Sequence, residues 1–250
     1  MVRIGRTYEG GNRLLDALPL GERADIVPAL EVVDIAAGVT THAPDASYDW
    51  VVFPIDAVLS VVTTLVDGET AEVGTVGNEG ASGVEIAFGA PVLRTTICQV
   101  DGRVARMRTT AFLDAIERNS RLDALIRSTE KGRMFFVEQM IVCNTVHSLQ
   151  QRCARWLLLV ADRASREDYQ LTHEFLSIML GVRRATVSEA AKHLHDAGAI
   201  EYTRGHVHIV NRPVLESLAC ECYQATVRVF NDALESWGQA LSTRKRIARL

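Results

Sequence analysis

The chain lacks the long apolar run that a membrane-spanning helix requires. It has 250 residues, and its most apolar stretch, residues 51–66, is interrupted by Pro54 and Asp56. A transmembrane helix needs about 20 consecutive, mainly apolar residues. Residues 1–6 also lack the apolar core of a signal peptide. The sequence therefore predicts a cytoplasmic protein with no membrane partner.

Cysteine is scarce, and its spacing is unlike that of a disulfide framework or a zinc motif. The five cysteines include no CxxC pair and are Cys98, Cys143, Cys153, Cys220 and Cys222. Two residues that lie two apart on one helix point in different directions, so Cys220 and Cys222 are poorly placed to chelate one ion. We expect reduced thiols in or near a core and no metal site. His147 and Cys153 lack a third partner for nucleophilic chemistry, so no catalytic residue is expected.

Histidine and lysine are nearly absent from the front half of the chain. His42 is the single histidine before residue 119, and a cupin-like oxygenase needs two or three, so an enzyme is not expected. Residues 1–118 hold nine Arg, no Lys and 17 acidic residues, a formal charge of −8. Residues 119–250 carry +4, which restores the total of −4. This asymmetry suits an acidic sensor joined to a DNA-binding domain.

What the sequence does contain is a helix-turn-helix pattern. A first short helix begins after Thr172, whose hydroxyl can cap it, and ends at Gly181, which permits a tight turn. A second helix is predicted over residues 184–197 and is ended by Gly198. Its apolar stripe at i, i+3, i+4 and i+7 consists of Val187, Ala190, Ala191 and Leu194.

Two short alternating segments follow this pattern and predict a wing. They are residues 200–203 and 206–209, joined by a turn at Arg204-Gly205. A helix fits the major groove of B-DNA, and polar side chains near its start reach base edges there. Arg183 stands at the cap position, where Ser or Asp is more favourable, and Arg184 is the candidate to read a guanine. The predicted DNA-binding residues are Thr172, His173, Arg183, Arg184, Thr186, Ser188, Glu189, Lys192 and Arg204.

The front half of the chain is predicted to form a series of short strands. Strand-like segments occur at residues 51–53, 58–62, 73–76, 95–100 and 103–107. Asp101-Gly102 predicts a hairpin between the last two. Many short strands at close spacing indicate a β-roll. Leu14, Leu15 and Leu18 add an opening helix that Pro19 ends.

Periodicity then changes to that of a long helix. Residues 121–149 carry a helical stripe of Leu122, Leu125, Ile126, Thr129, Phe136, Met140 and Cys143. A helix of this length usually buries such a stripe against a second copy, so we expect Phe136 to lie in a two-fold interface. Another helix begins at Gln151, and polar residues 163–169 lead into the helix-turn-helix. A single last helix is predicted from Val214 to about Gln239, before a basic tail at residues 244–246.

The sequence thus predicts an α+β chain with four parts. A sensor β-roll spans residues 1–118, and a dimerisation helix spans 119–149. A winged helix-turn-helix spans 150–212, and an extra helix with the basic tail spans 213–250. This order resembles that of the Crp–Fnr superfamily of bacterial transcription regulators, whose β-roll is of the cyclic-nucleotide-binding type. The matching segments are Leu171-Thr172, residues 181–187, Leu194 and residues 198–200, with Tyr48, Phe53-Pro54, Gly68, residues 72–74 and Gly77 in the roll.

The resemblance implies a homodimer that binds a two-fold operator in double-stranded DNA, with RNA polymerase as a further candidate partner. Arg184 matches the family's base-reading Arg. Ala185 stands where the family often has Glu, and Glu189 stands where it often has a second Arg. The target sequence is therefore expected to differ from that of the best-known members.

The sensor site is a partial match. Family members that bind cyclic nucleotides hold the ribose with Gly-Glu and the phosphate with Arg-Ser, and this chain has Glu79-Gly80 and Arg94-Thr95. Asn78 replaces the Gly before Glu79, so we expect an altered or empty pocket and no cofactor. Arg94 either binds a phosphate from a buried position or pairs with Glu79 or Glu85. Two alternatives stay open: a cyclic-nucleotide-responsive regulator, and a nucleotide effector protein whose winged helix binds a protein.

Overall fold

The structure is a computed structural model that describes residues 6–235. Two antiparallel sheets form the front of the chain, one of three strands in the order β1-β7-β3 and one of four in the order β2-β6-β4-β5. The seven strands are β1 Leu30–Ile35, β2 Thr40–His42, β3 Trp50–Pro54, β4 Val58–Thr64, β5 Thr70–Val76, β6 Thr95–Val100 and β7 Gly102–Arg108. Apolar side chains from both sheets share one core that includes Val52, Leu59 and Cys98. The predicted β-roll is confirmed.

The predicted hairpin between residues 95–100 and 103–107 is wrong. β6 pairs with β2 and β4, whereas β7 pairs with β1 and β3 in the other sheet. Asp101 and Gly102 therefore form the corner at which the chain passes from one sheet to the other. A Cβ at Gly102 would come within 2.7 Å of the backbone nitrogen of Ala57, so close approach of two chain segments requires glycine there.

Four helices frame the roll. They are α1 Arg13–Asp16, α2 Leu20–Ile26, α3 Thr109–Arg118 and α4 Ser120–Val146. The side chain of Asn12 caps α1, and the side chain of Asn119 accepts hydrogen bonds from the first backbone N–H groups of α4. The opening helix and the long helix were both predicted, while α2 and α3 were not.

The rear half holds the predicted helix-turn-helix and wing. Its elements are α5 Leu149–Ala164, β8 Asp168–Gln170, α6 His173–Leu180, α7 Arg184–Asp196, β9 Ile200–Thr203 and β10 His206–Ile209. The polar segment predicted as a connection is in fact structured: Arg163 lies buried within α5, and β8 pairs with β10 as a third strand of the wing. Alternation over three residues is too short a signal to reveal β8.

The single helix predicted after Pro213 is two helices. α8 Arg212–Leu218 ends at Ala219, and α9 begins at Cys222 and is described to Glu235. Ala219 has an extended backbone, with φ −79° and ψ 154°, and the chain turns there so that α9 can pack along α4. The remainder of the predicted helix and the basic tail lie outside the described residues.

The apolar stripe of α4 is buried, but the partner predicted for it is wrong. Phe136 is 3% exposed within one chain, and its ring lies 6.1 Å from the ring of Phe230 on α9. Ser128 donates a hydrogen bond to the carbonyl of Ala233, and a Cβ at Gly132 would lie 3.4 Å from that of Ala233. The C-terminal helix therefore covers the stripe that was expected to face a second copy. A charge at Phe136 would disrupt the core of one chain rather than a dimer.

Candidate nucleic-acid interface and sensor pocket

Local geometry places α7 on the surface with its start exposed. The Thr172 hydroxyl accepts a hydrogen bond from the backbone N–H of Phe175 and so caps α6. Gly181 then adopts φ 64°, a left-handed conformation that side chains disfavour. Val187 and Leu194 are fully buried beneath α7. The short turn, the cap and the buried stripe together fix which face of α7 meets solvent.

The predicted DNA-binding residues come from α7, the start of α6 and the wing, and most of them face solvent. Eight of them are exposed: Thr172, Arg183, Arg184, Thr186, Ser188, Glu189, Lys192 and Arg204. The ninth, His173, is half-buried: its Nδ1 lies 2.9 Å from the Ser188 hydroxyl, and its ring is 4.4 Å from that of Tyr202. Partial burial and the charge of Arg184 lower the pKa of His173, which favours a neutral imidazole. His173 and Ser188 thus connect α6 with α7.

The cationic side chains on this face differ in whether they already form an ion pair with a neighbouring carboxylate. Neither Arg183 nor Arg184 forms an ion pair within residues 6–235, and Arg183 makes no side-chain cap. Lys192 instead lies 2.8 Å from Asp196 one turn later, so a phosphate would compete with that carboxylate. At the tip of the wing, Arg204 has φ 49° and extends from the turn before Gly205. The free cations therefore concentrate at the start of α7 and at the wing tip.

The predicted ligand residues divide between two cavities. Glu79 lines a cavity of about 290 Å³ together with Arg163 and Phe230. Arg94 lines a different cavity of about 370 Å³, between β5 and α4, together with Arg133. Arg94 is exposed, so its predicted burial is wrong. Thr95 is half-buried at the start of β6, and Gly80 accepts a hydrogen bond from Asn12 through its carbonyl.

Arg163 of α5 forms a buried ion pair with Glu79. Its Nε lies 2.9 Å from Glu79 Oε1, and its terminal nitrogen donates to the Thr75 hydroxyl at 2.6 Å. The two charged side chains are each 5% exposed. The backbone N–H of Gly77 donates to the same carboxylate, and any side chain at Gly77 would overlap Arg163. The predicted pairing of Arg94 with Glu79 or Glu85 is therefore wrong, since Glu85 lies 3.3 Å from Arg133.

Comparison with known proteins identifies the domain that contains α7. Residues 151–218 match the model of a Crp-like helix-turn-helix domain. The chain therefore contains a Crp-like helix-turn-helix domain. Its fold is similar to that of FixK2 from Bradyrhizobium japonicum, with a TM-score of 0.64 and 17% identity over 76% of this chain and 98% of the other.

Two further solved structures share this fold. A CRP-family transcriptional regulator from Thermus thermophilus has a TM-score of 0.60 and 20% identity over 74% of this chain and 95% of its own. The c-di-GMP-responsive regulator CLP of Xanthomonas campestris has a TM-score of 0.59 and 13% identity over 77% of this chain and 100% of its own. No curated protein sequence gives a significant match. Among residues 6–235, no helix is long and apolar enough to span a bilayer.

A carboxylate lies at the contact between the roll and α5. Glu72 on β5 accepts hydrogen bonds from the Ser60 hydroxyl at 2.7 Å and from the Trp156 indole at 3.3 Å. Burial raises the pKa of Glu72 to about 7, although these hydrogen bonds and the charges of Arg155 and Arg163 oppose the shift. The contact between the roll and α5 therefore favours the protonated form of Glu72.

This shift predicts a pH-dependent stability. Because the folded protein retains a proton that the unfolded chain releases above about pH 4.5, Glu72 stabilises the fold at low pH and loses that contribution as pH rises toward 7. The full contribution is about 3 kcal/mol. The free energy of unfolding should be measured with urea at pH 5 and pH 8 for Glu72→Gln and the parent. The value for the variant should rise relative to that of the parent at the higher pH. A pH-independent difference between the two proteins would contradict the shift.

Proposed function

We propose that this chain regulates transcription as a homodimer that binds a two-fold DNA site through α7. The observation that carries the proposal is the exposed start of α7, where Arg183 and Arg184 are free of ion pairs within the described residues. Two arginines at a helix start can contact a guanine edge and a neighbouring phosphate. Arg204 at the tip of the wing is placed to make a further contact with the DNA backbone. RNA polymerase is a candidate partner of the bound dimer.

Base reading by Arg184 is tested on a site obtained by selecting genomic DNA fragments with the purified protein. Arg184→Ala should weaken binding to that site by about 1–3 kcal/mol and flatten the preference at one position per half-site. Lys192→Ala should lower affinity evenly across sequences, because a phosphate contact carries no base information. Arg228→Ala, an exposed arginine on α9, is the matched control and should change neither. Equal losses on all sequences for Arg184→Ala would make it a phosphate contact instead.

The dimer is proposed to form along an exposed apolar face of α4. Five apolar side chains on this helix remain exposed in one chain: Met134, Phe135, Ile141, Val142 and Val146. Met134, Ile141 and Val146 are 62%, 66% and 70% exposed. Ile141 and Val142 lie seven and eight residues after Met134, and these helical spacings place all three on one side of α4. A second copy of α4 is the occupant that a two-fold DNA site requires.

The sensor pocket is proposed to be altered, so that DNA binding does not require a cyclic nucleotide. Glu79 forms an ion pair with Arg163, and Arg94 lines a separate cavity. Titration calorimetry with cyclic AMP and cyclic GMP should give weak binding or none, and operator binding should be the same with and without either. A micromolar constant that Arg94→Ala abolishes would instead favour the nucleotide-responsive regulator that uses Glu79 and Arg94-Thr95. Such a result would leave the proposal for DNA binding intact.

A further inference from the structure

Three cysteines and one histidine from two distant segments meet where α4 ends and α9 begins. They are Cys143, His147, Cys220 and Cys222, and their ligand atoms all lie within 4.8 Å of one another. Cys143 and His147 are four residues apart at the end of α4, so both project from the same side of the helix. Cys220 lies in the turn after α8, and Cys222 is the first residue of α9. The sequence argument against chelation is therefore wrong, because it placed Cys220 and Cys222 on one helix.

Two of the separations between ligand atoms are close to those around a single tetrahedral ion. Cys143 Sγ lies 3.5 Å from Cys220 Sγ, and Cys222 Sγ lies 3.6 Å from His147 Nδ1. Ligand bonds of about 2.3 Å to sulfur and about 2.0 Å to nitrogen imply tetrahedral separations of roughly 3.8 Å and 3.5 Å. All three thiols are in buried residues, and Met140 packs beside them. Small shifts of side chains are sufficient to close the site around an ion.

Neighbouring groups already orient the ligands. The Nε2 atom of His147 lies 3.2 Å from the carboxylate of Glu221, which leaves Nδ1 directed at the thiols. A carboxylate on the far nitrogen of an imidazole is the usual support of a metal-bound histidine. The side-chain amide of Gln139 donates to Cys222 Sγ at 3.0 Å, as a donor to a thiolate would. Packing of thiols in an ordinary core does not require either contact.

Charge around the cluster also favours an anionic centre. Three thiolates and a neutral imidazole around a divalent ion carry a net charge of about −1. Arg155 is 3% exposed and donates to the sulfur of Met140 beside the cluster. The Nε atoms of Arg152 and Arg155 are buried without a hydrogen-bond partner within the described residues. A buried Arg155 and a half-buried Arg152 next to neutral thiols would be poorly compensated, whereas a metal–thiolate centre offsets part of their charge.

We propose that Cys143, His147, Cys220 and Cys222 bind one zinc ion that fastens the start of α9 to the end of α4. Three thiolates with one imidazole in a tetrahedral arrangement are a ligand set typical of structural zinc. On binding, the three thiols lose their protons to solvent and the imidazole binds through Nδ1 in its neutral form. No ligand position is left for a substrate, so the ion has a structural role. Because α9 covers the stripe of α4, the ion stabilises the helix that carries the proposed dimer face.

The test measures metal in the full-length protein purified under reducing conditions from zinc-supplemented cells. We expect about one zinc per chain by mass spectrometry of the elements, and less than a tenth of that in Cys220→Ser and in Cys143→Ser. Cys153→Ser is the matched control, because Cys153 is a buried thiol outside the cluster and its loss should leave the zinc content unchanged. Glu221→Gln should retain the fold and weaken zinc affinity by about 10–100-fold in a chelator competition.

A measurement on the unmodified protein keeps the proposal testable if a cysteine variant fails to fold. Protein stripped of metal and titrated with Co²⁺ should develop the visible absorption bands of tetrahedral thiolate cobalt, saturating at one equivalent and bleached by zinc. No zinc on purification together with no such bands would overturn the proposal. So would zinc that persists in Cys220→Ser, iron in place of zinc, or a Cys143–Cys220 disulfide in the freshly isolated protein.

Discussion

Replacing Arg163 with methionine should lower the free energy of unfolding by about 3–5 kcal/mol, a large part of the stability of a typical domain. The substitution leaves the carboxylate of Glu79 buried at 5% exposure without its partner. It also removes the hydrogen bond to Thr75 and the contact of the guanidinium with the rings of Phe136 and Phe230, at 5.4 Å and 5.6 Å. The side chain thus connects the roll, α4 and α9 at one point.

A second substitution separates loss of the ion pair from loss of packing. In Arg163→Met with Glu79→Gln, no charge remains buried, and we expect recovery of at least half of the lost stability. Arg228→Ala on the exposed side of α9 should stay within about 0.5 kcal/mol of the parent. Urea unfolding followed by circular dichroism supplies all four values. A loss below about 1 kcal/mol in the single variant, or no recovery in the double variant, would contradict the buried pair.

Local signals were sufficient to predict the helix-turn-helix. The cap at Thr172, the left-handed Gly181 and the stripe through Val187 and Leu194 each act over a few residues, so the sequence alone contains them. The short strands of the roll were predicted for the same reason. The match to the Crp-like helix-turn-helix family rests on this same segment, residues 151–218.

Local sequence signals could not predict which strands pair with each other or which helix packs on which. Asp101-Gly102 has the composition of a hairpin turn, yet β6 and β7 lie in different sheets because the sheet that each joins is fixed by long-range packing. The stripe on α4 correctly predicted which side is buried, but periodicity does not tell what covers it. The cover is α9, about 90 residues later. The α4 side chains that stay exposed were accordingly not expected to form an interface.

The buried polar sites also could not be predicted from the sequence. Arg163 is an ordinary charged residue in the sequence, and its pairing with Glu79 joins positions 84 residues apart. Cys143 and Cys220 are separated by 77 residues, and neither lies in a recognisable zinc motif. α5 carries four charged residues, so its sequence does not mark Arg163 as the one that is buried against a charged partner. The identity of that partner depends on the three-dimensional arrangement alone.

Replacing Ile141 with glutamate should convert the proposed dimer into a folded monomer. Ile141 is 66% exposed in one chain, so the substitution leaves the core of that chain unchanged. In a two-fold dimer along α4 the glutamate occurs twice near the axis, where each carboxylate would lose water without gaining a partner. Phe136→Glu is unsuitable for this purpose, because Phe136 is 3% exposed beneath α9.

Loss of the dimer should have its largest effect on the affinity for DNA. A monomer contacts one half-site, and losing the linked second half-site lowers affinity by about 10²-fold or more. Sedimentation velocity should show the mass of one chain for Ile141→Glu and of two for the parent. Leu20→Glu is the control, since Leu20 is 75% exposed at the start of α2, outside the proposed face of α4, and it should remain a dimer with unchanged affinity. A dimeric Ile141→Glu protein with full affinity would exclude this face of α4 as the interface, because a carboxylate on each copy cannot be accommodated in a packed apolar contact at no cost.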